Sequence, residues 1–347
     1  MVGTVDSSTL GNTNAALGAA LAVVLADRFG ADLQIESLGR LTGGASRETW
    51  AFDAVDREGT RHPLILRRDF LGEGRPSLAS LIGVHDDLDR RGEFALFEAL
   101  ADAGLPVPRP VAFPDGRAGL RDCFVMERVD GEALPHRLLR EETYARARSL
   151  LPEQLGTLLA RIHALGPGDL PPVPEHPPAR QLDVVRRMTA LGPSPRPVFE
   201  VALRWLEERS PKQPPRRLVH GDFRHGNFLV GPEGLRAILD WEYAHIGDPM
   251  EDVAFLCLKP WRFGNVTAEV GGFGPRDDLY RAYERAGGAP VDPEAVRFWE
   301  VLCNLKWGAL CVARGMAYVL GMQRSVEAAA IGRRVAETEY DILQLMG

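Results

Sequence analysis

The chain has 347 residues, more than one simple hydrophobic core usually serves, which predicts two lobes or domains. Hydrophobic residues make up 45% of the sequence and charged residues 26%, values that are ordinary for a folded protein in water. The net charge of −7 and the isoelectric point near 5.7 argue against general nucleic-acid binding, because a surface that neutralises phosphates is usually basic.

Cysteine usage and the first apolar stretch bear on localisation. The four cysteines form no C-x-x-C pair, which favours reduced thiols that serve as small hydrophobic residues and suits the cytosol. The apolar stretch at 15–26 has no Lys or Arg before it and is shorter than the roughly 20 residues of a membrane span. We therefore predict a cytoplasmic protein that does not enter the membrane. Residues 14–29 are expected to form an amphipathic surface helix with Asn14 as its cap.

Up to residue 131 the pattern predicts mostly strands. The expected strands are 34–41, 48–55, 62–68 and 123–129. A Gly-rich turn separates the first two, one helix is expected at 87–103, and an extended connector at 107–110. Asp130-Gly131 breaks the last strand.

After residue 131 the pattern becomes mainly helical. A long helix at 141–165 carries one apolar stripe, and three Pro-rich loops follow it. Residues 218–240 return to strand-loop-strand, and helices are expected from residue 250 onward. The predicted fold class is α+β and two-lobed, with a β-rich N-lobe at 1–126, a hinge at 127–131 and a mostly helical C-lobe at 132–347.

The strongest chemical signal is the segment His220-Gly221-Asp222-Phe223-Arg224-His225-Gly226-Asn227, followed by an aspartate at the end of the next strand, Asp240. Phosphoryl transfer needs one carboxylate that orients the attacking hydroxyl and accepts its proton, and it needs oxygen ligands that hold Mg²⁺ against the phosphates. An H-x-D-x-x-x-x-N loop followed by an Asp supplies that set at one end of a small ribbon.

This segment resembles the aminoglycoside phosphotransferase or phosphotransferase enzyme family of the protein-kinase-like superfamily, and in detail the kinase-like domains fused to acyl-CoA dehydrogenases. The resemblance implies a two-lobed kinase-like fold, ATP and Mg²⁺ as cofactors, Asp222 as the catalytic base, and Asn227 and Asp240 as Mg²⁺ ligands. His220 is expected to brace the loop. Arg224 is expected either to contact the transferred phosphate or to form a surface salt bridge.

The N-lobe carries matching candidates for phosphate binding. Small residues in a turn between strands let backbone N–H groups approach phosphate oxygens. The turn residues Gly43, Gly44 and Ser46 match the family's G-G-x-S loop, although a plain hairpin would also explain them. Arg67 stands where kinases have a Lys, on the same strand face as Ile65.

The resemblance also implies the adenine-binding residues. Arg67 would reach the α- and β-phosphates and Ile65 would pack on adenine. Glu93 is expected to anchor Arg67, with Glu98 as the competing candidate. Met126 occupies the gatekeeper position, and the carbonyl of Glu127 and the amide of Val129 would bind the adenine edge.

The acceptor is expected to be a small hydroxylated molecule. Few residues separate Asp240 from Gly247-Asp248-Pro249-Met250-Glu251-Asp252, so the long segment on which protein kinases bind polypeptide substrates is missing. Asp248 is expected to cap a helix with proline at its first position, and Asp252 to support the catalytic loop.

Basic residues after Asp252 bear on the charge of the acceptor. They favour an anionic or acyl-thioester acceptor such as a hydroxyacyl-CoA, although solvated helix faces would also explain them. The set is Lys259, Arg262, Lys306, Arg314 and Arg324. Aminoglycoside-, choline-, homoserine- and fructosamine-type acceptors stay open, as does a nucleotide-binding pseudokinase or scaffold.

Overall fold

The computed structural model describes residues 7–41, 48–69, 88–322 and 325–347. The described residues group into two compact units. The first contains the residues up to Asp69 together with Asp89–Asp130, and the second contains Leu88 and the residues from Gly131 onward. The first is built around a sheet and the second is mostly helical, so the predicted α+β class is confirmed. The predicted limits of the lobes and hinge stay a prediction.

A five-stranded antiparallel sheet forms the centre of the first unit, with strand order β1-β2-β3-β5-β4. Its strands are β1 (Gln34–Leu41), β2 (Glu48–Val55), β3 (Arg61–Arg68), β4 (Pro110–Ala112) and β5 (Cys123–Glu127). The four predicted strands are present, and the predicted extended connector leads into the short β4. In the β3–β5 register Ile65 lies opposite Met126 and Arg67 opposite Phe124.

One face of this sheet is covered by helix α1 (Ser7–Phe29), whose Leu21 and Leu25 are fully buried in a core that includes Leu66 of β3. Each such leucine contributes about 1.5–3 kcal/mol through removal from water. Because strand side chains alternate between faces, Ile65 and Arg67 lie on the opposite face. The helix begins at Ser7, so the expectation that Asn14 caps it is wrong.

Helix α2 (Arg90–Asp102) follows in the first unit and is capped by Asp89, whose carboxylate accepts a 2.7 Å hydrogen bond from the amide of Gly92. Its Phe97 packs against Phe124 of β5 with ring centroids 5.9 Å apart. The helix therefore lies on the sheet face that carries Arg67, and its first turn brings Glu93 into the interior.

The second unit is built from helices and two small two-stranded sheets. The helices are α3 (Pro135–Arg140), α4 (Ala145–Ala164), α5 (Pro178–Ala190), α6 (Pro197–Arg209), α7 (Met250–Leu256), α8 (Arg276–Arg285), α9 (Pro293–Val319), α10 (Val326–Gly332) and α11 (Val335–Met346). The strands are β6 (Arg217–Val219), β7 (Phe228–Gly231), β8 (Gly234–Ile238) and β9 (His245–Gly247). Strand β6 pairs with β9, and β7 with β8, both antiparallel.

The apolar stripe predicted for the long helix is the buried face of α4, with Leu155 and Leu159 fully buried. Helix α8 approaches this face closely: a Cβ at Gly156 would lie 2.4 Å from the carbonyl oxygen of Leu279, so only glycine fits there. All four cysteines are buried and free of disulfides, as predicted. Within the described ranges, each helix is too short or too polar to cross a bilayer.

Candidate active site

The predicted catalytic loop, residues 220–227, connects β6 to β7 in the second unit. Gly221 is required at its tight turn, because it has φ +80° and a Cβ there would lie 2.5 Å from the carbonyl oxygen of Tyr243. The amide of Leu239 donates a 2.8 Å hydrogen bond to the carbonyl of Asn227. This bond aligns the end of β8 with the loop, and Asp240 follows at once in the left-handed conformation with φ 64°.

The Asp222 carboxylate is held from both sides. Its Oδ1 accepts a 2.8 Å hydrogen bond from Nε of Arg224, and its Oδ2 accepts one of 2.8 Å from Nδ2 of Asn227. Its side chain is 15% exposed. Burial raises the pKa of Asp222, the charge of Arg224 acts against this, and the negative charge of Asp240 adds to the rise. The carboxylate is thus fixed in direction and made a stronger base than an exposed aspartate.

The loop backbone is braced by Asp252 on α7, whose side chain is fully buried. Its carboxylate accepts hydrogen bonds from the amides of His220 at 2.7 Å and Gly221 at 3.0 Å, in agreement with the predicted support of the loop. The ring of His220 accepts from the amide of Asp222 at 3.2 Å and, in the matching tautomer, donates to the carbonyl of Leu239 at 2.9 Å. His220 therefore ties the loop to the end of β8.

A second set of buried residues supports Asp252 and was not found by sequence reasoning. The Nε2 atom of His163 on α4 lies 3.3 Å from the Asp252 carboxylate, and its Nδ1 lies 3.0 Å from the hydroxyl of Tyr283 on α8. The matching tautomer donates to Asp252 and accepts from Tyr283. The local sequence around His163 or Tyr283 does not indicate this role, because Asp252 is 89 residues and Tyr283 is 120 residues from His163 along the chain.

A buried ion-pair network surrounds Glu251, next to Asp252. The Glu251 carboxylate accepts from Nζ of Lys306 at 3.0 Å and from Nε2 of Gln181 at 2.6 Å, and it lies 3.2 Å from the ring of His245. Burial acts to raise the pKa of Glu251, but the charges of Lys306 and His245 outweigh it and hold that pKa well below its usual range. Glu251 is thus a buried charge compensated by its neighbours.

Asp248, on the same segment, has a capping role close to the predicted one. Its carboxylate accepts from the amide of Met250 at 3.0 Å and from the indole of Trp299 at 2.9 Å. The helix begins at Met250, so Pro249 occupies the N-cap position and not the first helical position. Asp248 therefore fixes the start of α7 against α9.

Arg224 bridges the catalytic loop and the aromatic residue that follows α7. Its Nε binds Asp222, its Nη1 donates to the carbonyl of His225 at 2.8 Å, and its guanidinium carbon lies 4.8 Å from the centroid of the Trp261 ring. This cation–π contact holds the guanidinium beside Asp222. Contact of Arg224 with a transferred phosphate stays a prediction.

In the first unit the structure brings Arg67 and Glu93 together. Nη2 of Arg67 lies 3.3 Å from Oε1 of Glu93, and both side chains are buried. Arg90 forms a second ion pair with the same carboxylate. Glu98, the competing candidate, is exposed on α2. Glu93 is therefore the partner of the strand arginine.

The remaining nucleotide candidates are placed less completely. Ile65 and Met126 are buried, Glu127 is exposed and Val129 is half-buried. The predicted phosphate-binding turn with Gly43, Gly44 and Ser46 lies outside the described residues. Nucleotide contacts at all of these positions stay predictions.

Two members of the expected basic acceptor wall, Arg262 and Lys306, make internal contacts instead of facing an acceptor, and Lys259 is partly compensated. The guanidinium of Arg262 is buried and donates to the backbone carbonyls of Cys257 and Val266, both at 2.8 Å. Lys306 binds Glu251, and Nζ of Lys259 lies 2.5 Å from the carboxylate of Asp341. The helix charges thus serve internal contacts, which the sequence pattern of cations does not reveal. Arg314 is half-buried, and Arg324 lies outside the described residues.

Asn227 and Asp240 fit a magnesium ion. The Nδ2 of Asn227 donates to both the carbonyl and the carboxylate of Asp222, so its Oδ1 remains on the other side of the amide as an oxygen ligand. The charge of Asp240 raises the pKa of Asp222, a repulsion that a cation would relieve. Mg²⁺ usually binds one or two protein oxygens plus substrate phosphates. The described residues contain no cluster of three or more His, Cys, Asp or Glu that could hold a metal ion.

Comparison with known proteins decides the family. The model of the phosphotransferase enzyme family matches residues 37–299. The chain belongs to the phosphotransferase enzyme family. Among curated relatives, mouse acyl-CoA dehydrogenase family member 10 is 31% identical over 62% of this chain and 20% of that protein, and human family member 11 is 27% identical over 85% and 40%. This family member thus spans about a fifth to two fifths of the length of these relatives.

Solved structures of similar fold are kinase-like. A Ralstonia eutropha JMP134 protein, provisionally named an aminoglycoside phosphotransferase, has a TM-score of 0.72 at 20% identity and covers 94% of this chain and 97% of its own. An aminoglycoside phosphotransferase, APH(4)-Ia, in complex with AMP-PNP and hygromycin B has a TM-score of 0.58 at 17% identity, covering 94% and 97%. The predicted two-lobed, protein-kinase-like fold of this phosphotransferase-family chain is confirmed.

Proposed function

We propose that this protein is an ATP-dependent, Mg²⁺-requiring phosphotransferase that moves the γ-phosphate of ATP to a hydroxyl group of a small molecule. The observation that carries the proposal is the Asp222 carboxylate, which Arg224 and Asn227 hold in one orientation while burial raises its pKa. A general base needs a fixed direction toward the hydroxyl proton and a pKa above that of an exposed aspartate.

The residues of the catalytic loop then have distinct tasks. Asp222 accepts the proton of the attacking hydroxyl, and Arg224 contacts the phosphate that is transferred. Asn227 and Asp240 hold Mg²⁺. When bound, the metal neutralises charge that develops on the phosphate oxygens. Asp252 and His220 keep the loop in the shape that these tasks require, through the backbone hydrogen bonds described above.

The first unit supplies the proposed nucleotide residues. Arg67, oriented by its ion pair with Glu93, reaches the α- and β-phosphates, and the backbone of the turn that contains Gly43, Gly44 and Ser46 reaches the others. Ile65, Met126 and the backbone of Glu127 and Val129 receive adenine. The related fold of a phosphotransferase bound to the ATP analogue AMP-PNP supports this assignment.

The acceptor is proposed to be a small molecule, because the chain from Asp240 to Gly247 contains only one short helical turn and β9. The likeness to acyl-CoA dehydrogenase family members supports a hydroxyacyl-CoA as candidate acceptor. Aminoglycoside-, choline- and homoserine-type acceptors are the alternatives. A pseudokinase or scaffold is the competing function, and the presence of Asp222, Asn227 and Asp240 together favours the enzyme.

An ADP-release assay over a panel of hydroxylated acceptors tests the proposal, with hydroxyacyl-CoA, choline, homoserine and kanamycin side by side. Wild-type protein should release ADP only with Mg²⁺ present. Asp222→Asn should lower the rate by roughly 10²- to 10⁴-fold while ATP binding remains, because the proton acceptor is lost. Asp183→Asn, at an exposed aspartate of α5, is the matched control. Equal rates in the two variants would exclude Asp222 as the base.

A further inference from the structure

A cavity of about 340 Å³ in the second unit is lined by a cluster of basic side chains. The four basic lining residues are His136 and Arg140 of α3, Lys259, and Arg334. Among the described residues no Asp or Glu lines the cavity, and its volume lies at the lower end of small-molecule sites. This chemistry suits an anionic group and disfavours a polycation.

The charges of this basic pocket are only partly compensated inside the protein. The guanidinium of Arg140 is exposed and forms no ion pair or hydrogen bond with the part of the chain that the structure describes. Arg334 pairs through its Nε with Glu337 at 3.0 Å. Lys259 shares its charge with Asp341. Arg140 is therefore the main donor available to an incoming anion.

One wall of the basic pocket also touches the catalytic loop. Lys259 lies on the short helix Lys259–Arg262, whose Trp261 packs against Arg224, the residue bound to Asp222. Phe263, also in the wall, packs edge-on against His225 of the loop, with ring centroids 5.5 Å apart. The pocket and the proposed base are thus connected by two side-chain contacts along one short segment.

Phe263 gives this wall an exposed apolar side chain on a constrained backbone. The residue adopts φ 46°, a left-handed conformation that is unfavourable for a bulky side chain, and it is 46% exposed. The buried guanidinium of Arg262 holds the segment by its hydrogen bonds to backbone carbonyls. An exposed aromatic ring held this way, with Leu139 also lining the pocket, offers an apolar surface beside the cations.

We propose that the basic pocket binds the anionic end of the phosphate acceptor, a hydroxylated compound with a carboxylate or phosphate group joined to an apolar segment. The anion contacts Arg140 and Arg334, the apolar segment lies on Phe263 and Leu139, and the hydroxyl extends toward Asp222. This assignment of the substrate class rests on the proposed phosphotransferase function.

Calorimetry on the full chain with ADP and Mg²⁺ present tests the pocket with probes that cannot be phosphorylated. Hexyl phosphate and hexanoate distinguish the two anions, and hexanol is the neutral control. At least one anion should bind more than about 10-fold more tightly than hexanol. Arg140→Glu should weaken the binding of that anion by about 10- to 100-fold, the range expected for the loss of a hydrogen bond to a charged group. Arg204→Glu, at an exposed arginine of α6, is the matched control and should change the binding of the anion by less than about two-fold.

A second variant guards against a folding defect in the first. Phe263→Gly removes the ring and relieves the left-handed strain, so the fold should persist. This variant should bind hexyl phosphate more weakly than the wild type does, but its binding of inorganic phosphate should be unchanged. Equal binding of hexanol and both anions, or equal effects of the Arg140 and Arg204 substitutions, would overturn the proposal.

The same preparation separates this proposal from the function on which it rests. Titration with ATP and Mg²⁺, followed by thermal unfolding, reports on the nucleotide residues independently of the pocket. Anion binding without any stabilisation by ATP would refute the phosphotransferase function and leave a plain anion site. Stabilisation by ATP without anion binding would refute only the acceptor assignment.

Discussion

Asp252 offers a direct test of whether the catalytic loop is held in shape by a residue that does not touch substrate. Its two carboxylate oxygens accept from the amides of His220 and Gly221, and His163 adds a third contact. In Asp252→Asn one oxygen becomes an NH₂ group, so one backbone amide faces a donor whichever way the side chain turns.

The magnitude follows from that loss. A hydrogen bond to a charged group contributes roughly 1.5–3 kcal/mol, and an unpaired buried donor costs roughly 1–3 kcal/mol. We expect the free energy of unfolding to fall by about 3 kcal/mol. A loop displaced by about 1 Å typically lowers the rate about 10²-fold, so kcat should fall by that factor while KM for ATP changes little.

The assays are urea unfolding and ADP release, with Asp248→Asn as the matched control. Asp248 is also buried, belongs to the same segment and accepts two hydrogen bonds, but neither comes from the catalytic loop. The control should lose stability and keep kcat within a few-fold of the wild-type value. Asp252→Asn with normal kcat, or Asp248→Asn with an equal loss of kcat, would refute the bracing role.

Three further outcomes are expected. Asp240→Ala should abolish the stabilisation by ATP with Mg²⁺, about 2.7 kcal/mol at a hundred times the dissociation constant, and an unchanged thermal shift would argue against metal binding there. Lys306→Met should lower the free energy of unfolding, measured in urea, by less than the roughly 3–5 kcal/mol of a fully buried pair, since Lys306 is 28% exposed. Adding Glu251→Gln should restore part of the lost stability, and no restoration would show that the two residues are not coupled. Because Asp222 must be deprotonated to act and the charge of Arg224 lowers its pKa, Arg224→Met should move the acid limb of the kcat–pH profile to higher pH; an unmoved limb would exclude Asp222 as the titrating base.

The features that could be predicted from the sequence are those that depend on residues close together along the chain. Alternating side chains identified the strands, and the repeat of leucines along α4 identified its buried face. The spacing of Asp222, Asn227 and Asp240 was informative because a short loop and one hairpin bring them together. The family resemblance gave Glu93 and Glu98 as candidate partners of Arg67, and the structure pairs Arg67 with Glu93.

The features that were missed depend on distant partners. Three cations of the expected acceptor wall, Lys259, Arg262 and Lys306, are used by internal acceptors, such as Glu251 for Lys306, 55 residues away. Arg262 binds backbone carbonyls, and because every residue has a carbonyl, the sequence does not show which ones accept from an arginine. The start of α1 at Ser7 was missed because its first turns are polar and lack an apolar period. His163 and Tyr283 were missed for the same reason of distance.

The hydrogen bonds from Tyr283 to His163 and from His163 to Asp252 also constrain how the chain acquires activity. They join three helices, and the first of them spans 120 residues of sequence. Contacts that close such long loops form late, because the entropy of loop closure is lost before they contribute. During synthesis, a nascent chain that ends before residue 283 lacks the tyrosine that completes the brace behind the catalytic loop. Such a chain would have its His-Gly-Asp segment and Asp252 in place but would lack the Tyr283 hydroxyl that fixes His163 behind them.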